Sequence, residues 1–92
     1  MDKPRIRVDF NELLEKDFVL LSKTDQITDS EGNVIELYDG AEISLYEFNH
    51  YQDGVKEYLL AEGKAELNQI QKNPIAKWGC RINEKGVEVK NT

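Results

Sequence analysis

The chain has 92 residues, with 18 acidic and 12 basic side chains and a net charge of −6. A chain of this length has room for one modest core, because a small domain buries only about 60% of the surface its unfolded form exposes. We therefore expect a single domain over residues 1–92. The one cysteine excludes an intramolecular disulfide, and no run approaches the roughly 18 apolar residues of a membrane span. These features predict a soluble, cytoplasmic protein with no membrane partner.

The charge is distributed unevenly along the chain. Residues 9–62 carry 14 acidic and three basic side chains, a net −11. Residues 1–8 carry three basic and one acidic, a net +2, and residues 63–92 carry six basic and three acidic, a net +3. An acidic middle repels phosphate backbones, whereas nucleic-acid-binding domains usually show a basic stripe. The sequence therefore predicts no nucleic-acid partner and favours a basic protein as partner.

A strand and a short helix are predicted first. Apolar and polar residues alternate in RIRVDF, which is the period of a half-buried strand. Asp9 stands three residues before Glu12, as in a capping box, with two leucines behind it. This arrangement predicts one or two turns of helix that end before Phe18. The apolar run FVLLSK then predicts a well-covered strand.

Turn residues divide the middle of the chain into short strands. DSEGN at 29–33 predicts a hairpin turn, and YDG at 38–40 predicts a second break. AEISL resumes the alternation, but Tyr46 and Phe48 then fall on the opposite parity from the preceding apolar residues. Such a phase switch indicates a bulge, a bend or a strand that leaves the sheet.

Residues 56–72 allow two interpretations. VKEYLLAEGKAEL predicts a returning strand that extends to Leu67, although many of its residues are good helix formers, so a helix within 56–72 is the alternative. QKNPI predicts a loop, because the residue before Pro74 is pushed out of the helical region. AKWGCRI is a clear late strand, and NEKGVEV predicts a turn and a short last strand.

These elements predict a mostly β fold. We expect a small antiparallel sheet curled into a barrel-like, SH3-like or OB-like architecture, with one short helix after the first strand. The alternative is an α+β fold with the helix in 56–72. Unpaired strands at a sheet edge also allow a homodimer to form by edge pairing.

The stretch YEFNHYQDG at 46–54 contains the only histidine. A catalytic zinc site needs about three protein ligands, often several histidines, so we predict no metal and no other cofactor. Cys80 with His50 is the one nucleophile–base pair the chain offers. However, Cys80 alternates in phase with apolar residues of AKWGCRI, which predicts a buried thiol. A minimal hydrolase or metal enzyme using His50 is therefore the least favoured function.

Aromatic residues clustered in the acidic middle favour a different function. Tyrosine is enriched at binding surfaces, because it offers rigid apolar area with a polar tip. We predict a non-enzymatic protein-interaction module that docks a basic partner through an acidic, tyrosine-rich hairpin. A β-barrel domain that binds a small ligand beside Trp78 is the alternative. The predicted docking residues are Tyr38, Tyr46, Phe48, His50, Tyr51, Asp53 and Tyr58.

Overall fold

The computed structural model describes residues 2–70 and 76–91, and all regular structure in this part of the chain is β. Seven of the strands form one sheet in the order β1-β6-β7-β8-β3-β2, with β9 added to β7, while β4 and β5 form a separate hairpin. Only β1 and β6 pair in parallel among these strands. The strands are β1 (Ile6–Arg7), β2 (Leu13–Glu15), β3 (Phe18–Ser22), β4 (Gln26–Thr28), β5 (Val34–Glu36), β6 (Glu42–His50), β7 (Lys56–Leu67), β8 (Trp78–Ile82) and β9 (Glu88–Asn91).

The helix predicted after the first strand is wrong. The side chain of Asp9 accepts the backbone N–H of Asn11, and its carbonyl accepts the N–H of Glu12, so these residues close a turn. The chain then enters β2, which pairs with β3 through an irregular register. A helix of one or two turns is only marginally stable by itself. The neighbouring strand β3 instead provides hydrogen-bond partners for the backbone of these residues.

The sheet does not close into the predicted barrel. Within the described residues, β1 and β2 lie at opposite ends of the strand order and leave the sheet open. Closure requires the tilt and stagger of all strands to agree, and a two-residue β1 and a three-residue β2 are too short to meet. The mostly β, mostly antiparallel prediction is confirmed.

The prediction of a strand that extends to Leu67 is also confirmed, because β7 (Lys56–Leu67) is unbroken. The helical alternative is wrong over this range. The rest of that alternative, beyond Ile70, and the loop predicted for QKNPI lie outside the described residues. None of the described residues form a helix long and apolar enough to cross a membrane.

The hydrophobic core lies on one face of the sheet. The β4–β5 hairpin, which DSEGN predicted, covers this face with Ile27 and Ile35. Its turn needs positive φ at Gly32, where φ is 84°. The buried residues of this core are Ile6, Val8, Val19, Leu21, Leu37, Ala41, Ile43, Leu45, Ala61, Ala65, Trp78, Cys80 and Ile82.

Phe18 is buried on the other face of the sheet, apart from this core. Its ring lies flat against the bare backbone of Gly79 in the neighbouring strand β8. The guanidinium of Arg81 lies 4.5 Å from the ring centroid and covers it from solvent. Three carboxylates hold that guanidinium in place, namely Glu15, Asp17 and Glu66.

Gly79→Ala is expected to destabilise the fold. A Cβ at this position would lie 2.2 Å from Cζ of Phe18, far inside van der Waals contact. Overpacking of this kind typically costs about 1–3 kcal/mol, so the free energy of unfolding measured in urea should fall by that amount. In a Phe18→Leu background the same glycine substitution should cost less. An equal cost in both backgrounds would contradict this packing.

Candidate protein-docking surface

The β6–β7 hairpin extends beyond the hydrophobic core. Its register runs without interruption from Glu42 opposite Lys64 to His50 opposite Lys56, so the phase switch in the sequence is not a bulge. The regular alternation of buried and exposed residues in β6 ends after Leu45, the last buried residue of that strand. From that level outward, β9 replaces β8 as the neighbour of β7. The outer half of β6 therefore passes beyond the core while it remains paired.

The outer hairpin has two faces, because successive side chains of a strand point to opposite sides of the sheet. We call the face that continues the side of Leu45 and Ala61 the core face, and the opposite one the open face. The register places three cross-strand pairs on the open face, which are Tyr46 with Leu60, Phe48 with Tyr58, and His50 with Lys56.

Four of the predicted docking residues meet on the open face. We call Tyr46, Phe48, His50 and Tyr58 the aromatic patch. The ring centroids of Phe48 and Tyr58 are 4.9 Å apart and tilted by 45°, and those of Phe48 and His50 are 6.4 Å apart. Phe48 is 37% exposed, His50 is exposed and the two tyrosines are half-buried. Three of the four rings are thus in contact with one another through Phe48, and Tyr46 lies beside them on the same face.

The other three predicted residues lie elsewhere. The hydroxyl of Tyr51 donates to Glu57, a residue of the core face, at 3.0 Å. Asp53 belongs to the hairpin turn, where its carboxylate accepts the N–H of Val55. Tyr38 is 64% exposed but precedes β6 at its far end. Nine residues of strand, roughly 30 Å, separate Tyr38 from the tip.

Three cations surround the aromatic patch, and we call Arg7, Lys56 and Lys90 the basic rim. Arg7 pairs with Tyr46 across the β1–β6 register, and Lys90 pairs with Tyr58 across the β7–β9 register. All three side chains are exposed. One acidic residue of β9, Glu88, shares this face beside Leu60. The rim has no signature in the sequence, because its three residues come from the two ends and the middle of the chain.

The acidic residues in the strands of the outer hairpin point the other way. Glu47 and Glu57 both lie on the core face by register. The carboxylate of Glu47 accepts the backbone N–H of Phe10 at 2.7 Å. The hydrogen bond from Tyr51 to the Glu57 carboxylate, together with the negative charge there, raises the pKa of the Tyr51 phenol. The strands of the outer hairpin therefore carry their acidic residues on the core face, and the aromatic patch lies on the other face.

Arg5 anchors the hairpin where it leaves the core. Its side chain is 5% exposed, and Nη1 donates to the carbonyl oxygens of Leu45 and Ala61 at 3.0 and 3.3 Å. The same nitrogen lies 2.6 Å from the carboxylate of Glu62. The Nε and Nη2 atoms donate to both carboxylate oxygens of Asp2. These contacts fix both strands of the hairpin at one level.

The pair of Cys80 and His50 is not brought together. Cys80 is fully buried opposite Ala65, and burial raises the pKa of its thiol to about 12. His50 lies opposite Lys56, which is nine residues, or roughly 30 Å, further along β7. In the described ranges no three side chains of the metal-binding types form a group that could hold a metal ion. Trp78 is buried, and its indole N–H donates to Asp25.

Comparisons with protein-family models, curated proteins and solved structures found no match to this chain. The site is therefore interpreted from its own geometry and chemistry.

The Arg5 network predicts a stability that falls in acid. The hydrogen bond that Asp2 accepts from Arg5 lowers the pKa of the Asp2 carboxyl from 3.8 to about 2. Burial opposes the same shift in Glu62, but hydrogen bonds from Lys3 and Ser44 and the charge of Arg5 lower its pKa from 4.5. Because the folded-state pKa values are depressed, this stabilisation is complete above the unfolded values and is lost as pH falls toward about 2.

Glu62→Gln should therefore flatten the pH dependence of the free energy of unfolding below about pH 4.5, the unfolded-state pKa of a glutamate. It should also lower the stability at pH 7, because Arg5 loses a charged partner. Urea unfolding at several pH values measures both effects. Glu84→Gln removes an exposed carboxylate from the turn before β9 and should keep the wild-type slope. A wild-type slope in Glu62→Gln would contradict the role of this ion pair.

Proposed function

We propose that this protein is a non-enzymatic interaction module that docks a partner protein on the open face of the β6–β7 hairpin. The observation that carries the proposal is the aromatic patch, in which the rings of Phe48, His50 and Tyr58 are in contact beside Tyr46, and Phe48 and His50 are exposed. Exposed aromatics are informative when they are contiguous. Aromatic side chains also provide much of the binding energy at protein interfaces.

The patch is suited to binding because it is already ordered. The packed pair of Phe48 and Tyr58 lies on two strands in unbroken register, so their rings lose little freedom when a partner covers them. Arg5 fixes the strands just below, at the level of Leu45 and Ala61. A preformed surface of this kind loses less entropy on binding than aromatics on a loose loop.

The surroundings of His50 support docking rather than proton transfer. Its nearest ring is Phe48, and the residue opposite it is the cation of Lys56. Neither group is the carboxylate that orients the imidazole in a catalytic triad. In the proposed function His50 contributes contact area at the tip of the patch.

The charge of the partner depends on which face of the hairpin it covers. The net charge of −6 attracts basic proteins at long range, and a basic partner would meet Glu47 and Glu57 on the core face. A second copy could instead pair along the outer edge of β6, where no described strand pairs beyond Tyr46. Both possibilities remain predictions.

Phe48→Ser should abolish capture of the partner from a native cell extract. Loss of a central aromatic from an interface commonly weakens binding tenfold or more, so the captured protein should fall by at least that factor when quantified by mass spectrometry. The protein identified should then bind the purified wild type in calorimetry and bind Phe48→Ser about tenfold more weakly.

Tyr38→Ser is the matched control, because it also removes an exposed aromatic but lies at the far end of β6. Its capture should equal that of the wild type. Equal capture by all three proteins, or loss in Tyr38→Ser, would refute docking through the hairpin. Circular dichroism checks that both variants fold, since the lost ring pair is worth only about 0.5–1.5 kcal/mol.

A further inference from the structure

We infer that the aromatic patch receives an acidic segment of the partner protein, whose carboxylates meet the basic rim of Arg7, Lys56 and Lys90. This inference rests on the proposed function and names the chemistry of the partner. It also reverses the expectation from the sequence, in which the acidic middle of the chain predicted a basic partner.

The register carries the first step of the argument. Each of three aromatic residues has a cation directly opposite it on a neighbouring strand: Tyr46 has Arg7, Tyr58 has Lys90 and His50 has Lys56. Neighbouring strands lie about 5 Å apart. A partner that covers the rings must therefore approach all three exposed cations closely, whatever the charge of the rest of the protein.

The distribution of acidic groups carries the second step. The two acidic residues within the strands of the outer hairpin, Glu47 and Glu57, point to the core face and bind Phe10 and Tyr51 there. Around the rings on the open face, the three rim cations outnumber the carboxylates of Glu88 and of Asp9, which lines the same cavity as Arg7 and Phe48. Glu62, the next residue of β7 on this face after Leu60, is already paired with Lys3 and Arg5. The surface a partner would touch is therefore locally basic on a protein of net charge −6.

The range of electrostatic forces determines whether the local charge of the rim or the net charge of the protein dominates in the docked state. At physiological ionic strength the Debye length is about 8 Å. The rim cations stand within that distance of a docked segment. Glu42 and Glu66, in contrast, lie six and eight residues, roughly 20 Å or more, from Phe48 and Tyr58 along the same strands. The net charge slows the approach of an acidic partner, but the rim determines the energy of the docked state.

Other occupants fit this surface less well. Two copies joined patch to patch would oppose cations to cations, which is unfavourable. Single-stranded nucleic acid stacks on aromatic rings, but it carries a charge on every phosphate, and three cations would have to offset the repulsion from the acidic middle. A short acidic segment of a protein needs only a few carboxylates, placed opposite the rim.

The test reverses charge at the rim and compares it with a control variant of the same net charge. Lys56→Glu/Lys90→Glu and the control Lys16→Glu/Lys23→Glu each replace two exposed lysines, and each moves the net charge from −6 to −10, because one such replacement changes it by −2. The binding partner is the purified protein whose capture Phe48→Ser abolishes. Binding is measured by calorimetry after circular dichroism has verified each fold. Lys56→Gln/Lys90→Gln serves as a second, milder variant.

The rim variant should bind at least tenfold more weakly, and the control should bind within about threefold of the wild type. Replacing the partner's acidic residues by lysine should restore binding to the rim variant. Unchanged or tighter binding by the rim variant would overturn the inference but leave docking through the patch intact. If no captured protein depends on Phe48, the proposed function fails first, and the inference fails with it.

Two further measurements exclude the other occupants. Binding of a twelve-nucleotide oligothymidylate that depends on Phe48 would assign the patch to single-stranded nucleic acid. Self-association in the ultracentrifuge that Phe48→Ser abolishes would assign it to a second copy. Either result would overturn the inference. If neither is seen and the rim variant loses binding as expected, the inference is supported.

Discussion

The buried guanidinium of Arg5 is the contact on which the arrangement of this protein depends. Its backbone N–H donates to the hydroxyl of Ser30, and its carbonyl accepts the N–H of that serine, which joins the β4–β5 turn to the start of the sheet. Its side chain donates to carbonyls of both β6 and β7. A buried cation is tolerated only where it is paired and hydrogen-bonded, and Asp2 and Glu62 provide that pairing. Arg5 thus joins the β4–β5 hairpin, which covers the core, to the base of the projecting β6–β7 hairpin.

In the part of the hairpin beyond Arg5, the geometry of the strands alone places acidic and aromatic side chains on opposite faces. Strands alternate their side chains, so a linear stretch that mixes acids and aromatics is sorted into two different surfaces. Phe48 and His50 go to one face, and Glu47 goes to the other. The neighbours then decide the character of each face, because β1 and β9 bring Arg7 and Lys90 beside the rings. The projection gives the protein a two-sided element without a second layer.

Much of the fold could be predicted from local pattern. The alternation in AKWGCRI and the turn chemistry of DSEGN both led to the observed strands. The prediction of a short helix between Asp9 and Phe18 was wrong, because a capping pattern does not reveal that a neighbouring strand competes for the same backbone. The aromatic residues of the site could be identified from the sequence, but it could not be predicted which of them lie together. The sequence shows Tyr38 and Tyr51 near the others. Only the structure shows that Tyr38 lies beyond the far end of β6 and that Tyr51 hydrogen-bonds to Glu57 of the core face.

The basic rim could not be predicted, because no linear window contains it. Its members come from three segments whose net charges are +2, −11 and +3, and the acidic average of the middle segment hides Lys56. Pairing between strands that are far apart in the sequence does not follow from any local pattern. The rim also protects the hairpin, since charged side chains beside an open edge discourage pairing with other strands. The same three cations would then both repel a second copy and select an acidic partner, so that one set of residues limits aggregation and provides specificity.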